Sequence, residues 1–301
     1  MLKTAQKIPP VIKWSGSKRN VAYKIGKFIP SAKRYFEPFV GGGALLPFRK
    51  IQNGIAGDII PELIALWNAI KLNPEKTANE YKKRWEKLRE NGCTVYYDIR
   101  DNFNATRNEY DFLFLTRTCV NGLIRYNDKG EFNNSFHLTR PGIHPDRLSN
   151  IIKEWRFIIK DIDFYTCDYR EVIEMAREDD FFFLDPPYGG TKGRYTKEKF
   201  DTHDFYVNLD KLNTAGAKWI LTFDGSAGSR TYSYEVPGEI YTHKETIITG
   251  LSPFTKMMNT GIDVVEESVY FNFNPDISLT TKSRKQINNE STLFNGLDVQ
   301  N

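Results

Sequence analysis

Apolar residues in this chain fall into short continuous runs, separated by glycine- or proline-bearing turns and by segments with helical spacing. Tyr35-Phe36-Glu37-Pro38-Phe39-Val40 reads as a short buried strand, followed by Gly41-Gly42-Gly43 and then by Ala44-Leu45-Leu46-Pro47-Phe48, where a helix is expected to open. Ile55-Ala56-Gly57-Asp58 ends a second strand. A helix is expected to start near Pro61, because proline lacks an N–H that the first helical turn leaves unused, and Leu63, Leu66, Trp67 and Ile70 follow at helical spacing. Further strands are expected at 163–167, 181–184 and 219–223, with helices over 170–177 and 207–215 between them. Val264-Val265 and Ser268-Val269-Tyr270-Phe271 supply a closing antiparallel hairpin.

Strand, glycine turn, helix, strand, acid is the order of a parallel nucleotide-binding sheet. The pattern stops near residue 74 and resumes near 151, so one α/β unit (1–73 and 151–271) with an insertion (74–150) is expected. The insertion begins as helix and then carries Asn121-Gly122-Leu123-Ile124-Arg125-Tyr126-Asn127. Asp128-Lys129-Gly130 follows, a hairpin signal with glycine in a left-handed position. Alternation sets Leu123, Arg125 and Asn127 on one face. An apolar side chain, a guanidinium fork and an amide suit the major groove, Arg for guanine and Asn for adenine; a surface hairpin with a solvated Arg is the plainer alternative. From Asn272 onward periodic apolar residues nearly vanish, and 272–301 reads as a disordered tail.

Composition narrows the setting. The chain has 301 residues and a net charge of +4. Between Lys76 and Lys160 there are 16 Lys/Arg against 11 Asp/Glu, and elsewhere 26 against 27, so the whole positive excess lies in that one segment and a polyanion partner is expected there. The alternative is a solvated helix over 81–90 laced with ion pairs. No apolar run approaches the ~20 residues of a membrane span, and the start shows no leader pattern, so a cytoplasmic protein without a membrane partner is expected. Three cysteines far apart imply free thiols, and four histidines without ligand spacing imply no structural metal.

The sharpest chemical signal is Asp185-Pro186-Pro187-Tyr188, which runs straight out of Phe181-Phe182-Phe183-Leu184. Each proline fixes its own φ and pushes the residue before it toward extended geometry, so Asp185 should end a strand and project from it. One carboxylate, backbone carbonyls without competing donors and one ring can hold a planar amine such as adenine's by both protons while stacking on its face. A proline-rich turn with a solvated Asp is the alternative. Asp58 lies 17 residues after Gly41, near the ~20 expected of an acid that bonds a ribose hydroxyl at the tip of the next strand; it could equally cap the following helix.

Lys13-Trp14-Ser15-Gly16-Ser17-Lys18, Phe36 through Gly43, Gly57-Asp58, Asn121 through Asn127, Cys167-Asp168-Tyr169 and Asp185 through Tyr188, in that order, resemble the Dam-like DNA adenine methyltransferases. The resemblance covers roughly residues 11–223. It implies an α/β, Rossmann-like S-adenosylmethionine-dependent methyltransferase sheet, with an inserted, mainly helical target-recognition domain carrying a β-hairpin. It also implies S-adenosyl-L-methionine as donor, double-stranded DNA as partner and a monomer in solution. Residue by residue, it assigns Trp14, Lys18, Phe39, Gly41, Gly42, Gly43, Asp58, Asp168 and Asp185 to the cofactor. Asp185, Pro186, Pro187 and Tyr188 are assigned to catalysis, and Asn121, Leu123, Arg125 and Asn127 to DNA. Gly189 through Arg194 would close behind the base. Val120 departs from the family, in which an aromatic often stands there. A methyltransferase acting on RNA or on a protein glutamine, or a non-catalytic DNA-binding relative, would share much of this pattern.

Overall fold

The computed structural model describes residues 8–49, 52–187, 200–227, 230–232, 236–251 and 264–276. Its strands are β1 (Tyr35–Glu37), β2 (Gly54–Asp58), β3 (Ile162–Thr166), β4 (Phe181–Leu184), β5 (Lys218–Ala227), β6 (Arg230–Tyr232), β7 (His243–Leu251) and β8 (Val264–Phe271). They form one sheet in the order β3-β2-β1-β4-β5-β8-β7, with β6 paired to β5. The first five are parallel along that path, and β8 runs antiparallel to β5 and β7. This is the α/β methyltransferase-type sheet expected from the sequence, and the closing hairpin is β7–β8.

A strand buried on both faces needs no polar alternation, and β4 is buried at all four positions. Side chains of a strand alternate between faces, so Phe181 and Phe183 enter one apolar cluster while Phe182 and Leu184 enter the other. The same parity sorts β1 (Tyr35 against Phe36) and β5 (Ile220 against Trp219 and Leu221). Phe36 stacks on Phe182 at 4.4 Å between centroids.

The helices are α1 (Ala22–Gly26), α2 (Pro61–Leu72), α3 (Pro74–Asn91), α4 (Thr94–Thr106), α5 (Glu109–Thr118), α6 (Pro145–Ile159), α7 (Tyr169–Ile173) and α8 (Thr202–Thr214). α2 begins at Pro61 and buries Leu63, Leu66, Trp67 and Ile70, as its spacing predicts. Other boundaries move. The helix expected from Ala44 is only a 3₁₀ turn at Leu46–Phe48. β1 stops at Glu37 because Pro38 has no N–H to give the ladder. α8 starts at Thr202, earlier than its apolar spacing suggests, because the Asp201 side chain accepts the Asp204 N–H and caps it. The boundary expected at residue 150 falls inside α6, which starts at Pro145 behind the capping side chain of His144.

Tyr81, Tyr96, Phe103, Phe112 and Phe114 of the inserted helices belong to the same apolar cluster as Phe181, Phe183 and Ile220 of the sheet. The insertion therefore continues the core of one sheet face. Its ribbon is an irregular hairpin: isolated bridges at Tyr126↔Phe132 and Cys119↔Phe136 join the arms, with backbone bonds from the Asn127 N–H to the Glu131 carbonyl at 2.9 Å and from the Asn133 N–H to the Arg125 carbonyl at 3.1 Å, and Gly130 near its tip has the expected left-handed φ, +78°. Side chains supplement this short ladder. Asn104 accepts the Phe132 N–H at 2.7 Å, and the Asn134 amide donates to the carbonyls of Val120 and Leu123 at 2.9 and 2.8 Å.

The expected tail boundary at Asn272 also moves. Asn272 accepts the Trp219 N–H at 2.7 Å and donates to the Ala217 carbonyl at 2.8 Å, while Phe273 packs on the core. Residues 277–301 lie outside the described residues. No helix among the described residues is long and apolar enough to cross a membrane.

Candidate active site

In an open parallel sheet, ligands bind outside the carboxyl ends of the strands, where the strand order reverses. Here that point lies between β1 and β4. Glu37 closes β1 and Asp185 follows β4, so both carboxyls arrive at the same crevice.

Face parity adds two more polar residues. Asp185 shares the face of Phe181 and Phe183, Glu37 that of Tyr35, Thr222 that of Ile220, and Glu267 that of Val269, all on the side covered by the insertion. The Thr222 hydroxyl donates to Asp185 Oδ1 at 2.8 Å. Lys18, brought in by the N-terminal segment, places Nζ 3.0 Å from the same Oδ1 and 3.4 Å from Glu267 Oε1, with its side chain 3% exposed. Asp185 is thus held as an ion pair whose side chain remains 19% exposed. Pro186 behind it is buried and Pro187 is exposed.

Glu37 is buried and accepts the Tyr35 hydroxyl at 2.8 Å. Burial, joined by the repulsion of Asp185 and opposed by the Tyr35 bond, pushes its pKa up to about 8. A neutral Glu37 at neutral pH adds no second negative charge beside Asp185.

The glycine turn is built against Trp14. Gly41 and Gly43 have φ of +44° and +63°, a region L-residues avoid. A Cβ on Gly41 would lie 2.7 Å from Trp14 Nε1, and one on Gly42 2.9 Å from Trp14 Cβ. A Cβ on Gly43 would lie 3.0 Å from Trp67 Cζ2, and the Trp67 indole donates to the Gly41 carbonyl at 3.0 Å.

Asp58, at the tip of β2, accepts the N–H of Gly41 at 3.0 Å on one oxygen and that of Ile60 at 3.2 Å on the other. It therefore clamps the turn; the N-cap of α2 is Ile60. Burial raises its pKa to about 6 against the lowering effect of those two N–H groups.

Asp168 does serve as a helix cap. It begins α7 in a capping box with Glu171, accepts the Arg170 N–H at 3.0 Å and pairs with the Arg170 guanidinium at 3.1 Å. Phe39 stacks on Tyr169 at 5.2 Å and meets the edges of Phe200 and Phe205, so it joins the opposite apolar cluster.

On the ribbon, Ile124 points inward and fully buried while Arg125 is exposed. Leu123 and Asn127 are half-buried, and Asn121 is exposed in a left-handed conformation at φ +57°. Lys13 packs beneath Gly122, whose added Cβ would meet its chain at 2.9 Å. Arg125 donates through Nε to the Asn133 side chain at 2.8 Å. Asn127 differs from the reading of a free amide: its oxygen accepts the N–H groups of Lys129 and Glu131 at 3.0 and 2.9 Å, and its nitrogen donates to the Glu131 carboxylate at 2.9 Å. The turn thus uses the amide oxygen and one of the nitrogen's two N–H groups. Tyr188 and the Gly189–Arg194 segment lie outside the described residues.

Glu37, Thr222 and Glu267 were not among the expected site residues. For Glu37 and Thr222 the sequence signal is a polar residue in an apolar run, whereas Glu267 lies in the polar stretch Glu266-Glu267-Ser268 and carries no such signal. Among the described residues no group of His, Cys, Asp and Glu is arranged to hold a metal ion.

A family model for the D12 class N6 adenine-specific DNA methyltransferases matches residues 14–245. The chain is 30% identical over 271 residues to the Type II methyltransferase M.MjaIII of Methanocaldococcus jannaschii, covering 78% of this chain and 88% of that protein. It is 33% identical over 192 residues to the DNA adenine methylase of Haemophilus influenzae, covering 62% and 66% of the two. With the DNA N-6-adenine-methyltransferase of Escherichia phage P1 the identity is 30% over 237 residues, 73% of this chain and 30% of that longer protein. The crevice at the β1/β4 reversal, with its ion-paired acid, is thus carried by a chain that belongs to the D12 class N6 adenine-specific DNA methyltransferase family, a DNA adenine methyltransferase.

Proposed function

We propose that this enzyme moves the methyl group of S-adenosyl-L-methionine to the N6 amine of an adenine swung out of duplex DNA, at a specific site and as a monomer. The observation that carries this reading is Asp185, which stands at the sheet's reversal point with Oδ1 held by Thr222 and Lys18.

The residues present fit the donor. A Cβ on Gly41 or Gly42 would collide with the Trp14 side chain and one on Gly43 would crowd Leu46 and Trp67, so the turn is bare backbone that would cradle the methionine part. Trp14, Lys18, Phe39, Gly41, Gly42 and Gly43 would line it, and Asp58 would take the ribose hydroxyls. A carboxylate has about four acceptor sites, so the helix cap at Asp168 leaves capacity for the amine of the donor's adenine. When bound, the donor supplies an electrophilic sulfonium methyl.

The protein's own work is on the nucleophile. Adenine's amine lone pair is delocalised into the ring, so it attacks poorly until its protons are drawn out of plane. Asp185 and the Pro186 carbonyl would each accept a hydrogen bond from one of the amine's two N–H groups. As positive charge grows on nitrogen, the carboxylate stabilises it more than it stabilises the ground state. The proton then passes to Asp185 or to water, and no covalent enzyme intermediate is required. Unstacking the base costs a few kcal/mol, offset in part by stacking on Tyr188.

Leu123 and Arg125 would read base edges, with Asn121 at the root of the ribbon. Asn127 contributes by shaping the turn that presents them. The test is incubation of purified protein with methyl-labelled donor and duplexes of varied sequence. N6-methyladenine at one site is expected, and Asp185→Ala should abolish transfer while lowering donor binding at most partly. Unlabelled DNA with every duplex, or an active Asp185→Ala variant, would overturn the reading.

A further inference from the structure

Two donors converge on one oxygen of Asp185. Thr222 Oγ1 lies 2.8 Å from Oδ1, and Lys18 Nζ 3.0 Å from the same atom. Among the described residues no hydrogen bond to Oδ2 is found. A carboxylate gripped through Oδ1 by two donors cannot rotate about its Cβ–Cγ bond without losing both, so Oδ2 is presented in one direction.

Thr222 is fully buried on a central strand, where a hydroxyl without an acceptor would be costly. Asp185 is the acceptor it uses; the Leu184 carbonyl is farther, at 3.4 Å. The strand geometry around it is specialised. Register between β5 and β8 runs Thr222↔Val269 and then Gly225↔Glu267, so two residues on β5 oppose one on β8. This bulge immediately follows Thr222 and brings Glu267 to the same lysine, which lies 3.4 Å from its Oε1. Bulges of this kind re-aim side chains beside active sites.

We infer that Thr222 is a positioning residue: its hydroxyl, with Lys18, immobilises Oδ1 of Asp185 so that Oδ2 is the oxygen that receives the target amine. The inference rests on the reading of Asp185 as the group that holds that amine. Thr222 does not touch substrate and acts through Asp185.

The test compares Thr222→Val, which keeps shape and removes the hydroxyl, with Thr222→Ser, which keeps the hydroxyl, and with Asp185→Asn. Single-turnover methyl transfer is measured at saturating donor and duplex, with both dissociation constants and the unfolding midpoint measured alongside. Thr222→Val is expected to slow transfer by about tenfold or more, in line with the rate lost when a supporting shell no longer holds a reacting group in place, with both dissociation constants within about twofold of the parent. Thr222→Ser is expected to restore most of the rate. A parental rate in Thr222→Val, or equal loss in Thr222→Val and Thr222→Ser, would overturn the inference. Undiminished transfer by Asp185→Asn would instead overturn the reading of Asp185, so the two failures are distinguishable.

Discussion

The hydroxyl of Tyr126 donates to Glu62 at 2.6 Å, and this bond ties the ribbon that carries Arg125 to the first turn of the helix that follows Asp58. Arg107 adds to the joint: its Nη1 lies 3.8 Å from the same carboxylate oxygen, its Nη2 donates to the Gly130 carbonyl at the ribbon tip, and its guanidinium stacks over the Tyr126 ring. Glu62 is only 7% exposed, so removing a partner strands a buried acceptor. Tyr126→Phe should cost about 1–3 kcal/mol in denaturant unfolding. It should also raise the KM for DNA and leave donor affinity unchanged. Equal losses for donor and DNA would show that the bond is not specific to the ribbon.

Arg125 projects from that ribbon with its guanidinium steadied by Asn133. Arg125→Ala should relax sequence preference at one base pair, costing about 1–3 kcal/mol of discrimination there. Rates on duplexes substituted at each position in turn measure this. A uniform loss across all sequences would assign Arg125 to the phosphate backbone.

Gly41→Ala places a Cβ where φ is +44° and 2.7 Å from Trp14 Nε1. The left-handed backbone alone costs an L-residue roughly 1–2 kcal/mol, and the indole must also shift. Calorimetric titration should show weaker donor binding, and the unfolding midpoint should fall. Because Gly16 has open space around it, Gly16→Ala should carry the backbone strain of its φ of +81° without harming donor binding.

Two carboxyls at the strand ends titrate late. Burial is the main cause at both, raising Glu37 from 4.5 to about 8 and Asp58 from 3.8 to about 6. Folding therefore favours their protonated forms. Their contribution to stability is fully present below about pH 4 and is lost as pH rises, through about 6 for Asp58 and about 8 for Glu37. Glu37→Gln keeps an acceptor for Tyr35 and cannot ionise. Its stability relative to the parent should rise between pH 5 and 8.5, by on the order of 2–4 kcal/mol. Urea midpoints across that range decide it, and a constant difference would refute the shifted titration. Donor affinity should fall below about pH 6 as Asp58 takes up its proton, and Asp58→Asn should remove that dependence.

Much of the site was legible along the chain because its signals are local. Prolines 186 and 187 and the apolar run before them determine that a strand ends and an acid emerges at Asp185, since proline constrains its own φ and its neighbour's. Pro61 and the spacing of Leu63, Leu66, Trp67 and Ile70 determine a helix and its buried side. The glycines at 41–43 announce a turn that only residues without Cβ can make.

What tertiary structure decided are relations between residues far apart in sequence. That Thr222, Lys18 and Glu267 gather around Asp185 depends on strand order, on face parity and on a bulge between β5 and β8. That Asn127 belongs to a turn, and that Asn104 and Asn134 supplement a short β-ladder, depends on which backbone groups the packed helices leave in need of partners. Glu37 is charged or neutral according to how completely the fold removes it from water. Desolvation is a property of the assembled core, and no local pattern of residues encodes it.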